Sequence, residues 1–227
     1  MSAPTESSRT LGQLSDRASR HIRELIISGG LAPGTTVRPE IIGEQLHISA
    51  TPAREALQML RAEGFLDLAP GRGFSVSPLS GDDIRDLFVM QSLVAGELAA
   101  RAAGRWTADE LQELQALHHE LIAAAARSDT SNLEIKNHAF HRQINQMAKS
   151  RKMLRALSLS TRYVPREFYG SIPGWPDATV EDHGAILAAI VERDDERARS
   201  AMGEHIIHAG ELLAQHFDTR LNKGDTP

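Results

Sequence analysis

The sequence predicts a mainly α fold in two parts: a small helical domain closed by a β-hairpin, then an all-α helical bundle. Three observations carry this. Residues 14–78 hold three short apolar-faced segments, followed by Phe65-Leu66-Asp67-Leu68 and Phe74-Ser75-Val76 around a Pro70-Gly71-Arg72-Gly73 turn. Pro78-Leu79-Ser80-Gly81 reads as a linker. From Asp82 onward each long segment repeats its apolar residues near 3.6 positions, with no alternating strand pattern.

The elements follow in order. Met1–Thr10 is polar and reads as a disordered tail, with no apolar stretch of a secretory signal. The first helix spans about Leu14–Ser28, with Ser15 as its expected N-cap and Ala18, Ile22, Leu25 and Ile26 on one face. Gly29-Gly30 ends it. Pro39 opens a second short helix to Leu46, where a missing N–H costs nothing. A turn at Leu46-His47-Ile48 leads to Ser49, the expected cap of a third helix from Pro52 to Glu63, which Gly64 stops. Two strands with an Arg-Gly tip follow. Helices are then expected near 82–104, 107–127, 130–149, 151–168, 178–193 and 195–220. The Ile172-Pro173-Gly174-Trp175-Pro176 stretch separates the fourth from the fifth. The domains are thus 11–78 and 79–220, with a C-terminal tail at 221–227.

Composition narrows the function. There are no cysteines, which excludes disulfides and thiolate metal sites and fits a cytoplasmic protein. No apolar run reaches membrane-spanning length. Net charge is −5, which does not describe a protein that holds nucleic acid through bulk positive charge. The charge is uneven, however. Residues 1–80 carry eight arginines, eight acids and no lysine, so that part is neutral with Arg as its only strong cation. Arg suits bidentate contact with guanine edges and phosphates.

The N-terminal pattern is a winged helix-turn-helix. In such domains the N-terminal residues of the second motif helix meet base edges in the major groove. Here these are Ser49, Thr51 and Arg54, with Ala50 among them. Arg54, one turn in, is the main candidate for a base contact. Arg38 can reach the backbone, and Arg72 and Gly73 at the wing tip can enter the minor groove. Each has a plainer reading: Ser49 as a cap only, Arg54 paired with Glu44 or Glu55, Arg72 as a solvated turn. The run P-G-T-T-V…I-G-E-Q-L-H-I-S-A-T-P-A-R-E-A-L-Q-M-L-R-A-E-G-F-L…P-G-R-G-F-S-V is similar to the N-terminal domain of the GntR family of bacterial transcription regulators. The resemblance implies operator DNA as a partner. One departure is Ala50, where the family usually has Arg.

Eight of the ten histidines lie in the second part. Asn137 and His141 are four apart and share a helical face. With His183 and His205 on two further helices they could make a closed divalent-metal site. Spacing alone is weak evidence, since a lone His on a helix is more often a structural or surface residue. His118 and His119 read as surface residues. Glu204-His205-Ile206-Ile207-His208 has the wrong order for a zinc-peptidase motif.

N-H-A-F-H-R-Q-I and E-D-H-G-A-I-L-A-A-I-V-E-R-D-D-E-R-A-R-S-A-M-G-E-H-I resemble the FCD effector domain of the FadR subfamily. That resemblance implies a helical bundle binding small metabolites, usually carboxylates, and a Zn or Ni ion held by an Asp and three His. The matching positions are Asn137, His141, His183 and His205. Asn137 stands where Asp is usual, so the ligand set is neutral and favours an anionic effector. Gln91 and Ala95 also depart from a common Arg and Glu. Arg162 and Arg166 share a face and, with Tyr163, form a candidate carboxylate clamp, or a solvated stripe. The expectation is a transcription regulator, a repressor, that is not an enzyme and works as a homodimer controlled by an organic acid. A metal-dependent enzyme with a DNA-binding head and an effector-independent DNA-binding protein are the alternatives.

Overall fold

The computed structural model describes residues 6–69, 71, 73–163, 169 and 174–224. Its contacts divide the chain into two compact units, Met1–Leu79 and Ser80–Pro227.

The first unit begins with helix α1, Glu6–Ser28. It reaches back beyond Leu14 into the segment read as a tail. Ser15 is therefore not the N-cap: it is buried mid-helix and its hydroxyl donates to Glu55 Oε2 at 2.6 Å. The helix continues before Ser15 with Gly12 and Gln13 exposed and Leu14 half-buried. Strand β1, Thr36–Val37, precedes α2, Pro39–Leu46, and α3, Ala50–Ala62. Strands β2, Leu66–Ala69, and β3, Gly73–Val76, form the wing; β3 is central and antiparallel to both neighbours. Buried Ala18, Ile22, Leu57, Leu60, Phe65 and Val76 make this core. Burying each large side chain contributes about 1.5–3 kcal/mol.

The α2–α3 turn depends on two residues. His47 takes a left-handed conformation, φ 53°, and the Ile48 N–H donates to Gly43 O at 2.9 Å. A Cβ on Gly43 would lie 2.9 Å from Ile48 O, so only glycine lets the chain fold back this tightly.

The second unit is helical throughout the described residues: α4, Gly81–Ala103; α5, Ala108–Ala126; α6, Thr130–Met147; α7, Arg151–Ser160; α8, Trp175–Val191; α9, Asp195–Gly224. Capping boxes at Ser80/Asp83 and Thr107/Glu110 start α4 and α5. Helix α7 was expected to reach residue 168 but ends at Ser160 in a 3-10 turn over Thr161–Tyr163; residues 164–168 lie outside the described ones. Helix α8 starts three residues earlier than expected, because Gly174 at φ 81° turns the chain into Trp175, which is buried and stacks on Tyr169. Helix α9 runs four residues past the expected end.

Helices α4 and α9 lie against each other along much of their length, with small residues at the seam. A Cβ on Gly96 of α4 would come within 2.8 Å of Arg199 O on α9. Farther along, Arg85 binds Glu211 at 2.9 Å and Asp218 at 3.0 Å. The bundle core, shared with α6 and α8, holds Leu98, Ala102, Phe140, Ile144, Ile186 and Met202.

Candidate DNA-reading surface and candidate metal centre

In the first unit the helix pair α2–α3 presents Arg38, Ser49, Thr51 and Arg54, all exposed. Ser49 occupies the N-cap position of α3 with extended backbone, but its side chain makes no capping bond. The amide N–H groups at that helix start therefore remain open to an oxygen anion. Arg54 meets neither Glu44 nor Glu55 but lies 3.6 Å from Glu40 of α2, with both side chains about three-fifths exposed (60% and 62%). Such a loose, solvated pair is worth little and yields readily to a phosphate or base. Glu55 is instead taken by Ser15. At the wing, Gly73 has φ 98°, and a Cβ there would meet Val37 O at 2.9 Å. Its glycine is thus required by the β1–β3 approach. Arg72 lies outside the described residues.

The second unit gathers three imidazoles. Helix α6 supplies His141, α8 supplies His183 and α9 supplies His205. His141 Nε2 is 3.3 Å from His183 Nε2 and 3.2 Å from His205 Nε2. One ligand nitrogen from each ring lies within 4.8 Å of the others. Asn137, one turn before His141, is buried, and its Oδ1 has no hydrogen-bond partner among the described residues. Phe140 stacks on His183 at 4.3 Å and 12°, fixing that ring. Asp182 Oδ2 is 3.0 Å from His205 Nδ1.

The electrostatics are those of a neutral, enclosed cluster. Burial pushes His183 well below the ordinary imidazole pKa, helped by His205, His141 and His118. Burial does the same to His141, with His205 and His138 adding to it. Both rings are uncharged near neutrality and offer lone pairs. The hydrogen bond from His205 holds Asp182 below the usual carboxylate range, outweighing its partial burial.

A cation fits this arrangement. Tetrahedral zinc at about 2.0–2.1 Å from each nitrogen sets nitrogen–nitrogen edges of about 3.3–3.4 Å, close to the two contacts observed. Three ring nitrogens face one another at these distances, with the outer Nδ1 of His205 turned to Asp182. The orphaned Asn137 oxygen adds a fourth donor of the right type.

His138 and His119 are exposed, and His208 is exposed at 3.7 Å from Asp182. His118, expected at the surface, is buried beside Phe140 and Gly184, and burial lowers its pKa. Its helix packs that face toward α6 and α8, which spacing along α5 alone does not reveal. Arg162 and Tyr163 sit in the 3-10 turn after α7, partly buried; Arg166 lies outside the described residues. Gln91 is buried and donates to Ser160 O at 3.4 Å. Sequence reasoning missed Asp182 as the partner of His205, since the register of α8 against α9 leaves no local signal.

Comparison with known proteins gives two matching profiles. Bacterial regulatory proteins of the gntR family match residues 14–76, and the FCD domain matches residues 86–208. The chain is 26% identical over 199 residues to the HTH-type transcriptional repressor RspR of Escherichia coli K12, covering 86% of this chain and 87% of that one. It is 24% identical over 207 residues to the repressor GlaR of the same organism, covering 86% and 94%. Among solved structures, E. coli McbR/YncC superposes with TM-score 0.69 at 24% identity, covering 90% and 98%. A GntR-family regulator from Pseudomonas syringae pv. tomato gives 0.54 at 20% identity, covering 93% and 89%. Among the described residues, no helix is long and apolar enough to cross a membrane.

Proposed function

Because the chain belongs to the GntR family of bacterial transcription regulators and carries their FCD domain, we propose that it is a metabolite-controlled repressor of the FadR subfamily. It acts in the cytoplasm as a homodimer on operator DNA. A two-fold dimer offers two α3 helices to a pseudo-palindromic site. Arg54 contacts base edges or phosphate, and Ser49 and Thr51 anchor phosphate at the start of α3. Arg38 and the wing residues Arg72 and Gly73 contribute further contacts.

The observation that carries the control mechanism is the meeting of His141, His183 and His205 from three helices beside the unpartnered oxygen of Asn137. These four residues hold a divalent ion, Zn or Ni. When bound, the ion would supply a Lewis-acidic anchor by expanding its coordination to admit an oxygen anion as a further ligand. Three neutral rings and an amide leave its charge uncompensated, which favours a small organic acid as effector. Arg162, Tyr163 and Arg166 are the proposed partners for the rest of that acid. An effector that binds one arrangement of the dimer better shifts operator affinity by that difference.

The test is thermal unfolding of metal-loaded protein against a panel of mono- and dicarboxylates, paired with operator anisotropy. A true effector at 100-fold its Kd stabilises by about 2.7 kcal/mol, and the gain vanishes after chelation. A shift given by sugars or nucleosides but by no carboxylate would overturn the organic-acid reading.

A further inference from the structure

We infer that Asp182 is a positioning residue for the histidine cluster. Its carboxylate takes the Nδ1–H of His205 and so turns the Nε2 lone pair of that ring toward His141 and His183. The consequence for metal affinity rests on the metal-centre reading above; the geometry does not.

The bond is 3.0 Å long, and the His205 side chain is only 6% exposed. A ring so enclosed takes its tautomer from the protein, because water has little access to it. Asp182 immediately precedes His183, so one turn of α8 presents an imidazole to the cluster and a carboxylate to the outer nitrogen of a ring from α9. His183 has no such device: its Nδ1 is buried without a partner among the described residues. His208 approaches the same Asp182 oxygen only to 3.7 Å and is 67% exposed, too far and too solvated to compete for the carboxylate.

The ligand set makes this carboxylate matter more. Three imidazoles and an amide bring no formal charge, so compensation from protein must come through an outer residue. A carboxylate bonded to a ligand imidazole raises the basicity of the ring and fixes its orientation.

The decisive measurement is the ring tautomer of His205 in metal-free protein, read from long-range 15N–1H correlations. The wild type should show Nδ1–H with unprotonated Nε2; an Nε2–H tautomer would overturn the inference without any variant. Asp182→Ala should mix the two tautomers and weaken zinc binding, measured against a chromophoric chelator, by about 10–100-fold. Asp182→Glu should restore part of both, and His208→Ala should change neither. Weakened zinc binding in Asp182→Ala with an unchanged tautomer would mean a field effect and overturn positioning. A wild type that binds no zinc yet holds the Nδ1–H tautomer would sink the metal reading and leave the positioning intact.

Discussion

The two units place their working groups in opposite settings. In the winged unit the side chains proposed to meet DNA stand in solvent on the short pair α2–α3, and Arg54 is mostly exposed. In the helical unit His183 is wholly buried and His205 nearly so. Exposed groups act through a local scaffold, so a handful of neighbouring residues defines them. Buried groups must be brought together: His141 lies 42 positions from His183 and 64 from His205. The first arrangement should tolerate change at single positions, because the proposed phosphate contacts are shared. The second fails with the loss of one ring, because the others have then been enclosed for nothing.

The sharpest way to break this comparison is His183→Ala. Elemental analysis of untagged protein should fall from close to one metal per chain to a small fraction, while operator affinity of the metal-free protein stays unchanged. Full metal content in His141→Ala, His183→Ala and His205→Ala alike would place the ion elsewhere. Arg54→Ala should do the reverse, weakening specific operator binding by about 1–3 kcal/mol with metal content intact. Fluorescence anisotropy at fixed salt decides it, and an unchanged affinity removes Arg54 from the reading head.

Acid separates the units next. Burial depresses the pKa of His141 and His183 in the folded protein, so below about pH 6.5 the unfolded chain binds more protons than the native one. Stability is whole above that pH and is lost as pH falls toward the lower folded values. Asp182, held low, stays ionised through this window and does not offset the loss. Metal-free protein should show a lower urea midpoint at pH 5.5 than at 7.5, and equal midpoints would mean that both rings titrate as if in water. The smallest effect is expected from Glu40→Gln, which removes the carboxylate near Arg54. Its stability change should stay within about 1 kcal/mol, and a larger fall in thermal unfolding would show that the pair braces the two helices.

The legibility of the sequence follows the same division. The turn at His47, the Ser49 position, Gly64 and the hairpin could be read because each depends on neighbours a few residues away. Strand β1 could not, since Thr36–Val37 is too short to alternate. Ser15 was misplaced because a capping residue and a buried polar residue look alike until Glu55 is seen opposite. The helices of the bundle were found by periodicity to within a few residues, except α7, which was expected to reach residue 168 and ends at Ser160. Two facts needed the fold: His118 is inward, and Asp182 meets His205. Both depend on how helices sit against one another, which periodicity along one helix does not encode.

Helix α9 is a single uninterrupted rod of 30 residues, and it serves two clients. His205 turns toward α6 and α8, while Glu211 and Asp218 grip Arg85 in the first turns of α4. Each residue along a helix advances the angle by about 100°, so these grips hold only at one phase. One residue inserted between His205 and Glu211 would leave either the imidazole or the carboxylates facing away. The spacing along α9 thus ties the two together: the position of the ring and the hold on α4 cannot be adjusted independently.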